Sequence, residues 1–210
     1  MDIINFILHI DQHLLDFIHQ YGRWIYAILF MIIFVETGLV VMPFLPGDSL
    51  LLAAGALAAS TGVMEPITLI AVLSVAAILG DTVNYHIGKY IGPRVFEMDS
   101  KFVKKEHLLK THDFFQRHGG KTIIFARFLP FIRTFAPFIA GAGDMNYRHF
   151  LFFNIVGALL WISSLVTLGY LFGNIPIIKD NFSHVIIGII ILSILPAIFE
   201  FIHNKIKSKQ

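Results

Sequence analysis

Four apolar segments, residues 24–41, 66–90, 148–173 and 182–203, are each long enough to cross a lipid bilayer as a helix. A hydrocarbon core of about 30 Å takes roughly 20 residues at about 1.5 Å each. Composition agrees: only 14% of the 210 residues are charged, where a soluble chain carries about 25%. The mean hydropathy is +0.74. Disorder is excluded on the same grounds, because 21 Phe and the long Ile/Leu runs would have to sit exposed. No Pro/Ser-rich or charged linker divides the chain, so one membrane-embedded domain over 1–210 is predicted. A net charge of +2 gives no footprint for nucleic acid. Without cysteine there is no disulfide framework and no thiolate metal site.

Residues 1–22, MDIINFILHIDQHLLDFIHQYG, lack the basic n-region and small-residue cleavage site of a signal peptide. Ile3, Ile7, Ile10, Leu14 and Phe17 recur at helical spacing, with Asn5, His9, Gln12, His13 and Asp16 between them. That pattern predicts an amphipathic helix lying in the membrane interface.

Two further apolar stretches, 43–60 and 122–143, differ in kind. Each is interrupted by prolines (Pro43 and Pro46; Pro130 and Pro137) and carries charge. Proline inside a helix costs about 3 kcal/mol or more, and broken backbone at membrane depth survives only where protein or a water-filled cavity covers it. Both stretches are therefore predicted to be re-entrant helical hairpins. With four spans, 13 Lys and Arg residues fall on one face and only Lys179 on the other. The positive-inside bias then puts both termini and the loop 89–121 in the cytoplasm. PFLPGDSLLLAAGA (43–56) is similar to PFIRTFAPFIAGAG (130–143), and the helix after each ends in a paired-Gly motif, GKYIG (88–92) or GYLFG (169–173). The predicted architecture is thus an all-α integral membrane protein. It has four spanning helices, two re-entrant hairpins in an inverted repeat, and the N-terminal interfacial helix.

Several charges lie where lipid should be. Glu36 is 12 residues past Trp24, roughly 18 Å into the hydrocarbon core. Asp48 follows the break at Pro43 and Pro46, and Arg127 and Arg133 flank Pro130. Asp81 and Asn154, inside the second and third spans, are secondary candidates. An ionised group at that depth costs about 2.5–3.5 kcal/mol on insertion scales, so such residues point to function. On an unbroken helix Arg127 and Arg133 would point apart; a break at Pro130 frees them to converge. Two converging guanidiniums suit a phosphate, which they bind bidentately. Facing carboxylates, Glu36 and Asp48, would take and release protons. The plainer alternatives are that Asp48 caps a half-helix and that all four charges simply neutralise one another.

Other motifs fail. GGKT (119–122) is no phosphate-binding loop, because Phe115 stands where that motif needs glycine. His9 and His13 read as polar-face residues of the interfacial helix. Nothing suggests an enzyme, a metal site or a cofactor.

The strings ETGLVVMPFLPGDSLLLAAGAL (36–57), GDTVNYHIGKYIG (80–92) and HGGKTIIFARFLPFIRTFAPFIAGAGDMNYRHFLFFNIVGALLW (118–161) resemble the DedA family of bacterial inner-membrane proteins. The resemblance covers most of the chain. It implies the two-hairpin inverted repeat of the eukaryotic VTT-domain lipid scramblases and a role in proton-motive-force-dependent membrane homeostasis. Some members recycle undecaprenyl phosphate, and the essential acid and arginine pairs of studied members match Glu36, Asp48, Arg127 and Arg133. The implied function is a proton-dependent transporter or flippase of undecaprenyl phosphate or another anionic phospholipid. A drug or cation/proton antiporter and a non-transporting scaffold are the alternatives.

Overall fold

The computed structural model describes residues 10–39, 47–95, 115 and 118–176. Its elements are α1 (Ile10–Gly38), α2 (Gly47–Thr61), α3 (Pro66–Val95), a 3-10 turn (Gly119–Lys121), α4 (Thr122–Ala126), α5 (Pro130–Ala142) and α6 (Tyr147–Gly173). Among the described residues, two helices are long and apolar enough to cross a membrane, over Pro66–Ile91 and Tyr147–Gly173, while the apolar part of α1, Trp24–Gly38, is shorter. They coincide with the expected spans 66–90 and 148–173. Span 182–203, Pro43, Pro46 and most of the loop 89–121 lie outside the described residues, although 89–95 continue α3 as helix.

The boundary expected near residue 22, between an interfacial helix and the first span, is not a helix break. α1 runs unbroken from Ile10 to Gly38. Gly22 costs only about 1 kcal/mol inside a helix, too little to end one this long.

The chain forms two compact units. Of the described residues, the first holds 10–26, 47–69 and 165–176. Here α2 and the end of α6 touch backbone to backbone: a Cβ on Gly55 would meet the Val166 carbonyl, one on Gly169 the Leu52 carbonyl, and one on Gly173 the Ala56 carbonyl. Small residues at such crossings are what let helices approach closely in lipid. α2 stops because Gly62 takes a left-handed φ of 65°, the usual helix-ending conformation that glycine alone adopts without strain. Pro66 then opens α3, where its missing N–H is no loss. Asp48 lies exposed in the first turn of α2, where the helix dipole favours negative charge.

Of the described residues, the second unit holds 27–39, 70–95, 115 and 118–164. α3 is its central helix. On one side Gly80 meets α1, and a Cβ there would lie 2.8 Å from the Phe34 carbonyl oxygen. On the other, Gly88 abuts the Phe138 backbone and Gly141 the Tyr85 carbonyl, pressing α5 onto α3. Tyr85, Ile123, Ala126, Ala136, Ala140 and Phe150 form a buried core. The Tyr85 hydroxyl donates to the Met145 carbonyl. Thus Gly169 and Gly173 of GYLFG lie against α2 in the first unit, and Gly88 of GKYIG lies against α5 in the second.

Between α4 and α5 the chain breaks as its prolines require. Leu129 is extended, with φ −117° and ψ 109°, because the ring of a following proline excludes the helical region. Pro130 then occupies the start of α5. Pro137, in contrast, is not a break: α5 carries it in its interior. Its ring removes a single i→i−4 bond, and the helix continues to Ala142 around it. Neither α4, with 5 residues, nor α5, with 13, is long enough to cross a bilayer alone.

Candidate functional site

The break at residues 127–129 turns two arginines towards one place in the second unit. Arg127 terminates α4, and Arg133 lies in the first part of α5. Their guanidinium carbons lie 5.7 Å and 4.8 Å from the centroid of the same ring, that of Trp161 on α6. The convergence predicted from Pro130 is thus what the structure has.

Each arginine meets a buried acid. Arg133 pairs with Glu36 through Nη2 and Oε1. Glu36 is 5% exposed and sits in the last turn of α1, where the helix dipole opposes a negative charge. An acid kept at the unfavourable end of an apolar helix needs a partner, and Arg133 supplies it. Arg127 donates through Nη2 to Asp81 Oδ2 and to Asn154 Oδ1, each at 2.5 Å. Asn154 in turn donates through Nδ2 to the Ile78 carbonyl at 3.1 Å, which fixes its amide orientation. Asn84, one turn beyond Asp81, donates to the Thr134 carbonyl at 2.9 Å and the Thr37 carbonyl at 3.3 Å. That amide ties α1 and α5 to α3 and so holds Glu36 and Arg133 in register.

The face of α6 is graded along the Arg127 side chain. Asn154, Gly157 and Trp161 are three and four residues apart, so they lie on one face. Asn154 takes the head group and Trp161 lies under it. Gly157 passes the stem: a Cβ there would be 3.2 Å from Arg127 Cδ and Nε. Gly157→Val is expected to push Arg127 off Asn154 and to destabilise by about 1–3 kcal/mol through overpacking. Thermal unfolding in lipid nanodiscs measures this, and an unchanged transition would show that Arg127 has room to spare.

Glu36, Thr37, Asp81, Arg127, Arg133, Thr134, Pro137 and Trp161 line a narrow crevice with Ile123 and Ala136. Two buried polar atoms there, Glu36 Oε2 and Arg127 Nε, have no hydrogen-bond partner among the described residues. An orphaned donor and an orphaned acceptor in one crevice are the pair a protonated oxyanion would satisfy, one oxygen accepting from Arg127 Nε and its hydroxyl donating to Glu36 Oε2.

Of the residues singled out from sequence, Glu36, Arg127 and Arg133 come together, and so do the secondary candidates Asp81 and Asn154. The structure puts Asp48 in the other unit and not among the crevice-lining residues. The acid on Arg127 is Asp81. Trp161 and Gly157 escaped sequence reasoning; Asn84, three residues past Asp81, showed its position but not its role. The signal for the first two was the three-four spacing behind Asn154, a lone amide in an otherwise apolar span. No group of three His, Cys, Asp or Glu suited to a metal ion occurs among the described residues.

Comparison with known proteins places this geometry. The model of the VTT domain matches residues 45–171, which include both arginines, Asp48, Asp81, Asn154 and Trp161. Protein DedA of Escherichia coli K12 is 53% identical over 205 residues, covering 97% of this chain and 94% of its own. An uncharacterized membrane protein of Mycobacterium leprae is 45% identical over 83% of this chain and 78% of its own. The inner membrane protein YqjA of Escherichia coli K12 is 39% identical over 73% of this chain and 70% of its own. No solved structure matches.

Proposed function

Because the chain belongs to the DedA family of VTT-domain membrane proteins, we propose that it moves an anionic lipid phosphate between membrane leaflets together with protons. Undecaprenyl phosphate or another anionic phospholipid is the substrate class. The inner membrane is the site of action, with both termini in the cytoplasm. The observation that carries this reading is the pairing of two guanidiniums, Arg127 buried and Arg133 part-buried, with two buried acids around one crevice.

The chemistry follows from charge. In the described state the two arginines and the two acids, Glu36 and Asp81, neutralise each other. A phosphate entering the crevice competes with the carboxylates for the same in-plane N–H donors. A carboxylate released into such surroundings without a partner is strongly penalised as an anion, so it stays as the neutral acid by taking a proton. Each negative charge that enters is then matched by one proton, and the site remains neutral throughout. Proton count thereby follows headgroup charge, and a proton gradient drives lipid movement. Glu36 and Asp81 are the acids for which geometry provides this exchange. Asp48, which the family resemblance implicates in proton coupling, lies exposed in the other unit.

A cation antiporter is disfavoured by the two arginines lining the crevice, which repel a cationic substrate. The scaffold alternative draws on the pairing itself, since all four charges have partners. Vesicles of phosphatidylcholine holding the purified protein and a fluorescent polyprenyl phosphate decide among these. An inward pH gradient is expected to accelerate lipid translocation, with Glu36→Gln and Asp81→Asn abolishing the dependence because an amide does not titrate. Lipid movement by the unsubstituted protein that ignores the gradient would remove proton coupling. No movement at all would leave the scaffold.

A further inference from the structure

Trp161 is 2% exposed, and it underlies both guanidiniums rather than one. Two like charges on one ring repel, and in the described state each is held by an acid from a different helix, Glu36 on α1 and Asp81 on α3. When a phosphate displaces those acids, their hold on the arginines lapses. The indole's hold does not. A cation–π contact uses the flat face of a guanidinium, whereas hydrogen bonds to an oxyanion use its edge. One arginine can therefore rest on the ring and grip an oxygen at the same time. An aliphatic side chain of similar bulk would fill the space without attracting either cation.

We infer that Trp161 is a positioning residue: its indole keeps the Arg127 and Arg133 guanidiniums together as a two-armed site for a phosphate ester while their carboxylates are exchanged away. The inference rests on the transport reading given above. It goes beyond that reading by assigning the geometry of the arginine pair to a residue that carries no charge and meets the substrate only through them.

The protein contains just two tryptophans, and the other, Trp24, is 67% exposed and outside the crevice. Trp24→Phe thus leaves Trp161 as the single indole reporter. The test incorporates 5-fluoro- and then difluoro-tryptophan at position 161 in that background. Fluorine drains the ring's negative face with little change of shape, so folding is kept. The protein is placed in phosphatidylcholine nanodiscs and titrated with farnesyl phosphate, with farnesol and inorganic phosphate as separate arms, and the midpoint is read from indole emission. The expected result is a midpoint that weakens stepwise with fluorine, reaching about tenfold across the series, and no response to farnesol. Inorganic phosphate titrating with the same fluorine dependence also supports the role of the ring and identifies the ligand as free phosphate instead of a lipid headgroup. A midpoint indifferent to fluorine overturns the inference and leaves the transport reading intact, since the ring would then only fill space. Absence of any response to either phosphate overturns both. As a second check, read by calorimetric titration with the same farnesyl phosphate because these variants lack the indole reporter, Trp161→Phe is expected to retain more affinity than Trp161→Leu; equal affinity in the two counts against the ring.

Discussion

Arg127→Met is expected to destabilise the protein by about 3–5 kcal/mol, the largest stability effect of any single change at this site. Methionine fills much of the volume, so the loss comes from charge rather than from a void. Asp81, 5% exposed, loses the guanidinium 2.5 Å away and stays buried only as a lone anion or by taking up a proton, either of which costs stability, and Asn154 loses the donor that its side-chain oxygen accepts. Adding Asp81→Asn to Arg127→Met removes the stranded acid. The double variant is expected to recover most of the stability, because an intact buried pair and its neutral replacement often differ little. Thermal unfolding in nanodiscs of the single and double variants gives the coupling directly. Additive losses would mean that the pair does not form. Transport is expected to be absent in both variants, which separates what the arginine does for the fold from what it does for the substrate.

Arg133→Lys is expected to reduce lipid transport by at least tenfold while leaving stability close to normal. Lysine keeps the positive charge opposite Glu36, so the buried acid stays neutralised. What it loses is the planar fork that binds a phosphate through two parallel hydrogen bonds, together with the flat face that rests on Trp161. A structural role predicts the opposite pattern, since charge alone would suffice. Translocation of the polyprenyl phosphate in vesicles, measured on protein shown to unfold at the usual temperature, distinguishes them. Full activity in the lysine variant would remove the clamp.

What was legible in the sequence was whatever depends on a residue and its near neighbours. Apolar length identified α3 and α6, because the bilayer thickness sets the requirement and no partner helix enters it. The residue before proline is sterically confined, so the interruption at Leu129 followed from Pro130 alone. Charges in apolar segments announced Glu36, Arg127 and Arg133, because the penalty for placing them there is owed whoever pairs with them. Local chemistry also misled. Pro137 has the same covalent constraint as Pro130, yet α5 absorbs it. Gly22 and Arg23 look like a boundary, yet α1 passes through them.

Tertiary structure alone decided who pairs with whom. Arg127 meets an acid 46 residues earlier in the chain and Arg133 one 97 residues earlier, and neither distance leaves a periodic trace. The choice of Asp81 for Arg127 depends on how closely α1 and α5 approach α3, and that closeness is set at Gly80, Gly88 and Gly141, where one added carbon would collide with a neighbouring backbone. Trp161 becomes the common ring of two arginines only after those approaches have turned the α6 face of Asn154 and Gly157 towards the break. Burial depth and backbone strain are properties of a segment and can be read along it; the meeting of side chains depends on helix separations of an ångström or less, which belong to the packed whole.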